Sequence, residues 1–204
     1  MRKIVFATNN EHKLKEVREI LNGRMQVLSL NDIDCHEDIP ETADTIKGNA
    51  EMKARYVMEH YGYDCFSDDT GLEIDALNGE PGVMSARYSG GGSEANIDKV
   101  LKLMHDVPTD KRTARFRTVI ALIEKEEDDT TDLLRRENLR FFNGKVEGMI
   151  LTERHGEGGF GYDSIFAPIE GDGRTFGEML PAEKNAISHR ARAVAQLIKA
   201  LTEE

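Results

Sequence analysis

The chain has little cysteine, no long apolar run and no surplus of positive charge, and each shortage removes a class of protein. Only Cys35 and Cys65 occur in 204 residues, without metal-ligand spacing. A disulfide framework is therefore not expected, the predicted compartment is reducing and cytoplasmic, and both cysteines read as ordinary thiols. The apolar stretches at residues 4–7 and 119–123 are far too short to cross a bilayer, and no secretory signal is visible. No membrane association is expected. A formal net charge of −11 argues against a broad nucleic-acid surface, which would have to neutralise many phosphates at once. A small anionic ligand remains compatible with that charge if cations cluster locally beside a divalent metal.

The length suits one domain of ordinary to large size, or two small lobes, with ample material for a core. Residues 1–204 are read as a single domain without an internal repeat or long linker. Residues 3–7 form a compact apolar strand, and Leu14, Val17 and Leu21 repeat on one helical face just after it. A second helix is predicted over residues 45–61 and a third around Ile97, Val100, Leu101 and Met104. Strands are predicted near Cys65, over 115–124, over 139–142 and 146–152 with Gly144 and Gly148 as punctuation, and over 164–167. A C-terminal helix carries Ala191, Val194, Ala195, Ile198 and Leu201. The order is mixed α/β. The acidic run from Glu124 to Asp129 is most simply a solvated loop between two strands.

The most informative segment runs from Ser67 through Asp68, Asp69, Thr70, Gly71 and Leu72, and on to Pro81, Gly82, Ser85, Ala86, Arg87 and Tyr88. Adjacent carboxylates after the apolar pair Cys65-Phe66, opening into a turn, stand where a parallel-sheet enzyme places a metal and a base. The same residues are also good turn formers, so a solvated turn is the competing account. At Thr8, Asn9, Asn10 and Lys13, a polar turn enters a helix. Free N–H groups there attract phosphate, although an Asn cap with a surface lysine explains the same residues. Glu41 could add an oxygen to a metal, with Asn49 and Lys53 following on the second helix, where a solvated lysine is the plainer reading. In Gly158-Gly159-Phe160-Gly161-Tyr162-Asp163, small residues leave room for a flat ring on Phe160, and Asp163 can accept ring N–H groups; a tight bend around a core aromatic is equally consistent. Glu183 and Lys184, with Ser188, His189 and Arg190 at the foot of the last helix, bring four donors together beside one acid, which suits an oxygen-rich ligand edge. A Ser-capped helix with solvated His and Arg explains these residues equally well; against pure solvation, cations at a helix N-terminus oppose its dipole at about 0.3–1 kcal/mol each, and a bound anion or keto oxygen would give them a reason to be there.

Taken together and in this order, these motifs resemble the inosine triphosphate pyrophosphatase family over nearly the whole chain. The resemblance implies a homodimeric α/β protein with a central elongated mixed sheet flanked by helices, in two lobes with an active-site cleft between them. It implies hydrolysis of ITP, dITP and XTP or dXTP to the monophosphate and pyrophosphate with Mg2+. It further implies that Thr8, Asn9, Asn10, Lys13 and Lys53 hold the triphosphate and that Glu41, Asp68 and Asp69 serve the metal. By the same resemblance Asp69 would be the proton acceptor. Thr70 stands where many relatives carry Ser and keeps the hydroxyl. On the same resemblance Phe160, Gly161, Tyr162, Asp163, Lys184, His189 and Arg190 would form the base pocket. The chain has no Trp, whereas many relatives carry one near residues 144–148, and the acidic segment at 124–136 lies outside the shared pattern.

Overall fold

The computed structural model describes residues 2–21, 23–125 and 137–202. It contains a seven-stranded mixed sheet in the order β2-β1-β3-β5-β6-β7, with β4 (Pro81–Gly82) paired to β3 alone. Strands β3 (Cys65–Ile74), β5 (Thr113–Lys125) and β6 (Glu137–Ile150) are long, and each continues from one compact unit of the chain into the other.

The first unit comprises residues 1–69, 119–143 and 194–204. In it β1 (Lys3–Phe6) pairs in parallel with β2 (Gln26–Leu28) and with the start of β3, in the register Val5 to Cys65 and Phe6 to Phe66. Between these parallel strands lie the crossover helices α1 (Glu11–Ile20) and α2 (Ile46–Tyr61). Their ends obey local chemistry: the Asn10 carboxamide accepts from the Lys13 N–H to start α1, Thr45 accepts from Gly48 N–H to start α2, and Gly62 closes α2 in the left-handed conformation. Val5, Ala7, Cys65, Ala121 and Ile123 pack on Ala50, Ala54, Val57 and Met58 of α2, a dry layer that fixes the helix against the sheet.

The second unit comprises residues 70–118 and 144–193. Its helices are α3 (Ser93–Leu103), α4 (Pro181–Ile187) and the first turn of α5 (His189–Thr202). β7 (Phe166–Pro168) runs antiparallel to β6, and Leu72, Ile97, Val100, Phe116, Val146, Phe166 and Phe176 form the core. Arg112 lies at its edge, fully buried, with its guanidinium donating to the carbonyls of Met104, Ile150 and Leu151 at 2.5, 2.7 and 2.9 Å.

Several expectations need correcting. Asp68 and Asp69 do not open a turn, because β3 runs on through Ile74. The two strands expected on either side of Gly144 are one. Both glycines are there for close approach: a methyl group at Gly144 would overlap the His189 carbonyl, and one at Gly148 the Phe166 ring. Glu124 is no solvated loop residue, being a β5 residue buried against Arg2 and Arg140; residues 126–136 of that acidic segment lie outside the described ones. The short strands β2 and β4 were not foreseen, having too few residues to show a period.

Candidate functional site

Strand pleating decides what the adjacent carboxylates can do. Successive side chains of a strand point to opposite faces, and β3 shows this from Cys65 onward. The Cys65 thiol meets the Ala54 carbonyl at 3.1 Å, the Ser67 hydroxyl donates to the Ala50 carbonyl, and Asp69 Oδ2 accepts from Asn49 Nδ2 at 3.2 Å, so all three odd-numbered residues address α2. The even-numbered residues address the other face, where Phe66 stacks on Phe6 and Asp68 Oδ1 receives the Lys13 ammonium at 3.0 Å. Asp68 and Asp69 therefore do not converge.

Lys53, one helical turn after Asn49, donates to the Asp68 backbone carbonyl at 2.8 Å and to the Glu41 carboxylate. It is 5% exposed, so its charge is held by these oxygens rather than by water. Burial pushes the Asp69 carboxyl above the usual carboxylate range; Lys53 and Lys13 oppose the shift, Glu41 adds to it, and the Asn49 hydrogen bond opposes it. Thr8 accepts the Asn10 N–H at 3.1 Å, while Asn9 is exposed. Thus Asn10 caps α1 as the plainer reading had it, and Lys13 reaches β3 from the turn it caps.

Among the described residues no group of three or more His, Cys, Asp or Glu side chains is disposed to hold a metal. The donor chemistry nevertheless fits a hard cation. Glu41 lies near enough to Asp69 for its charge to raise that carboxyl, and two carboxylates suffice for an ion that keeps waters and takes phosphate oxygens.

The second unit gathers the other expected residues. Phe160 lies beneath two cations: the Lys184 ammonium is 4.9 Å and the Arg190 guanidinium carbon 5.5 Å from its ring centre. Asp163, 3% exposed, accepts from the Phe160 N–H and from Lys184, both at 2.8 Å. These two hydrogen bonds tie the loop to α4. Gly159 has a φ of 72°, and any side chain there would overlap the Asp163 carboxylate, so glycine is required. His189 is buried and stacks on Phe116 at 4.7 Å and 16°. Arg190 donates to the Thr70 hydroxyl at 3.3 Å, and Thr70 shares a 2.7 Å hydrogen bond with Thr118.

The sequence profile of the Ham1 family matches residues 4–200. The chain belongs to the Ham1 family. It is 52% identical over 199 residues to a dITP/XTP pyrophosphatase of Porphyromonas gingivalis, covering 97% of this chain and 96% of that one. To the dITP/XTP pyrophosphatase of Flavobacterium johnsoniae it is 49% identical over 203 residues, with 98% of both covered. Among solved structures, a HAM1 protein from Coxiella burnetii matches with a TM-score of 0.84 and 39% identity over 100% of both chains.

In this Ham1 chain two details of the expected pocket differ from the motif reading. Tyr162 is a core residue whose hydroxyl donates to the Ser85 carbonyl at 2.8 Å; burial raises its pKa, and it shapes the loop from beneath. Lys184 and the pair His189-Arg190 are not on one helix: α4 stops at Ser188, whose extended backbone and hydroxyl, accepting from Ala191 N–H at 3.1 Å, start α5. Glu183 belongs to neither group of donors, since it caps Leu180 N–H and pairs with Arg174.

Other residues went unrecognised. Thr118 had no signal beyond a hydroxyl in an apolar strand. Asn96, on α3, binds the Ser85 and Ala86 carbonyls and receives Ser89 N–H at 2.7 Å, bracing the segment that follows β4. A buried Asn facing a run of loop residues is a signal that could have been read.

Proposed function

We propose that this Ham1 protein hydrolyses non-canonical purine nucleoside triphosphates, dITP and ITP or XTP and dXTP, to the nucleoside monophosphate and pyrophosphate. The observation that carries the reading is Asp69: a buried carboxylate with a raised pKa, hydrogen-bonded by Asn49 and flanked electrostatically by two lysines, in a chain close over its whole length to dITP/XTP pyrophosphatases. A buried carboxylate of raised pKa is suited to take a proton from water near neutral pH.

In this reading Lys13 and Lys53, with Thr8, Asn9 and the N–H groups that open α1, take the triphosphate, whose negative charge would otherwise repel the attacking water. Both lysines now rest on protein oxygens, so phosphate would compete for ammonium groups already desolvated and aimed. Asp69 accepts the proton of the water that opens the phosphoanhydride, and the products are monophosphate and pyrophosphate. Mg2+, held by Asp69 and Glu41, would supply charge neutralisation on the phosphates and a lower pKa for water. Asp68 serves this arrangement by holding Lys13.

The base is assigned to the second unit's residues. Its flat ring lies on Phe160; Lys184, His189 and Arg190 supply donors to a 6-keto oxygen, and Gly161, with a φ of 62°, keeps the loop free of a side chain there. Adenine presents an amino donor at that position, and donors facing donors leave polar groups unpaired at about 1–3 kcal/mol each. A homodimer acting in the cytoplasm completes the reading, resting on the family resemblance and on two cysteines that form no disulfide.

The deciding experiment is a panel of nucleoside triphosphates with Mg2+, resolving monophosphate plus pyrophosphate from diphosphate plus phosphate. Release of orthophosphate, or tight nucleotide binding without turnover, would overturn the proposal in favour of a phosphatase or a nucleotide sensor.

A further inference from the structure

Asn49 is fully buried in the middle of the first unit, on a helix where Asn is a poorer former than Ala. Its carboxamide bridges two segments far apart in the chain. Oδ1 accepts from Ala43 N–H at 2.9 Å and Nδ2 donates to Asp69 Oδ2 at 3.2 Å. The orientation is not interchangeable: a backbone N–H can only donate, so the amide oxygen must face Ala43 and the NH2 must face Asp69. Ala43 belongs to the loop that carries Glu41. That loop lies flat on the start of α2, so close that a methyl group at Gly48 would overlap the Ala43 side chain.

From this geometry we infer that Asn49 is a positioning residue of the pyrophosphatase reaction, fixing the Asp69 carboxylate and the Glu41 loop relative to one another through a single side chain. The inference rests on the proposed function above. The backbone alone cannot do this, since Asp69 is on β3 and Glu41 on an irregular segment with no ladder to hold it. The frame of α2 is independently rigid: the Ala50 and Ala54 carbonyls take the Ser67 hydroxyl and the Cys65 thiol, which sets the helix against the strand on which Asp69 sits. Lys53 follows one turn later and grips Glu41 directly. Asn49 and Lys53 thus hold the two acids from one helical face. Asp in place of Asn keeps the acceptor for Ala43 but sets oxygen against oxygen at Asp69, and Ala has neither group.

The test compares Asn49→Asp and Asn49→Ala with the wild-type protein in steady-state hydrolysis of ITP, alongside melting temperature and nucleotide affinity by calorimetry. The expected result is a kcat lower by about tenfold to a hundredfold in both variants, the range for a lost hydrogen bond to a charged group, with KM and affinity within about threefold of wild type. Asn49→Asp keeps the loop anchor, so activity retained by that variant and lost in Asn49→Ala would reduce Asn49 to a structural peg and overturn the inference. So would unaltered kcat in both, or losses of kcat and affinity that merely follow the melting temperature. If the wild-type protein itself released no pyrophosphate, the proposed function would fall instead, and the two failures are thereby told apart.

Discussion

Replacing Asp69 with Asn removes charge and basicity while preserving shape, and the surroundings make that separation unusually clean. The Asn49 NH2 that now meets a carboxylate oxygen would meet a carboxamide oxygen, so the hydrogen bond survives and the side chain stays in place. A carboxamide cannot take a proton from water. Turnover should therefore fall at least about a hundredfold, some 2.7 kcal/mol in the barrier, the lower end for a positioned base. Stability should move the other way. Burial raises the Asp69 pKa, so between the ordinary carboxylate value and the raised one the unfolded chain ionises while the folded chain still holds its proton. Wild-type stability falls as pH rises through that window, and the whole penalty stands above it. The introduced carboxamide never ionises, so the variant in metal-free buffer should melt at or above the wild-type temperature at pH 7, and the difference should shrink towards pH 4. Each 1 kcal/mol gained corresponds to about 2–4 °C for a chain of this size. The assays are pyrophosphate release and scanning calorimetry at both pH values. Near-normal turnover would remove Asp69 from the chemistry; a variant less stable at pH 7 than at pH 4, relative to wild type, would show that burial does not govern its pKa.

The other expectations can be stated briefly. Lys13→Ala and Lys53→Ala should each weaken triphosphate binding far more than nucleoside binding, because each deletes a charge-assisted contact, and equal losses for both ligands would place the lysines elsewhere. Lys53→Ala should also lower the melting temperature, since it leaves Glu41 and the buried Asp68 carbonyl without their cation, at about 1.5–3 kcal/mol. Gly144→Ala forces a methyl group into the His189 carbonyl and the Ala193 N–H, so a loss of about 1–3 kcal/mol with weaker ITP selectivity is expected by thermal melting and kinetics. Arg190→Ala should lower the ratio of kcat/KM for ITP over ATP, mainly through lost ITP activity, and a proportional loss of both would assign Arg190 to the fold.

How far the sequence could be read depended on whether a residue's role lies in its own period or in a distant partner. Helices α1 and α2 and strand β1 were visible because Leu14, Val17 and Leu21, or Ala50, Ala54 and Val57, repeat on the period of the element they form. The caps at Asn10 and Gly62 follow the same local rules. What was misread at Asp68-Asp69 was a local signal overridden by tertiary structure: Asp, Thr and Gly favour turns, yet here they continue a strand because flanking strands pair with it and α2 covers one face. The two glycines of β6 were misread for the same reason, since close approach of His189 and Phe166 is invisible along the chain. Candidate site residues were found as motif members, but their division of labour was not. Tyr162 stood in the motif and proved to be core, while Thr118, Asn96 and the role of Asn49 depend on partners 48, 7 and 20 residues away.

The pleat of β3 gives the adjacent acids different work. In a turn, Asp68 and Asp69 could point the same way, and two like charges side by side would each raise the other's pKa. A strand forbids that. Asp68 is turned to α1, where Lys13 compensates it, and Asp69 to α2, where Asn49 offers a neutral donor. On Asp69 burial outweighs the opposing charges of Lys53 and Lys13 and raises its basicity, while the Asn49 amide orients it. Lys13 has a different task on Asp68, because the buried carboxylate keeps the half-buried ammonium group aimed without any basicity being required of Asp68. If that division is correct, Asp68→Asn should weaken triphosphate affinity, through a Lys13 no longer held, while leaving the pH at which activity rises largely where Asp69 sets it. Asp69→Asn should do the reverse, retaining affinity and losing turnover. A pH-rate profile of Asp68→Asn displaced as a whole from that of the wild type would mean that the two carboxylates titrate as one unit, contrary to their placement on opposite faces of the strand.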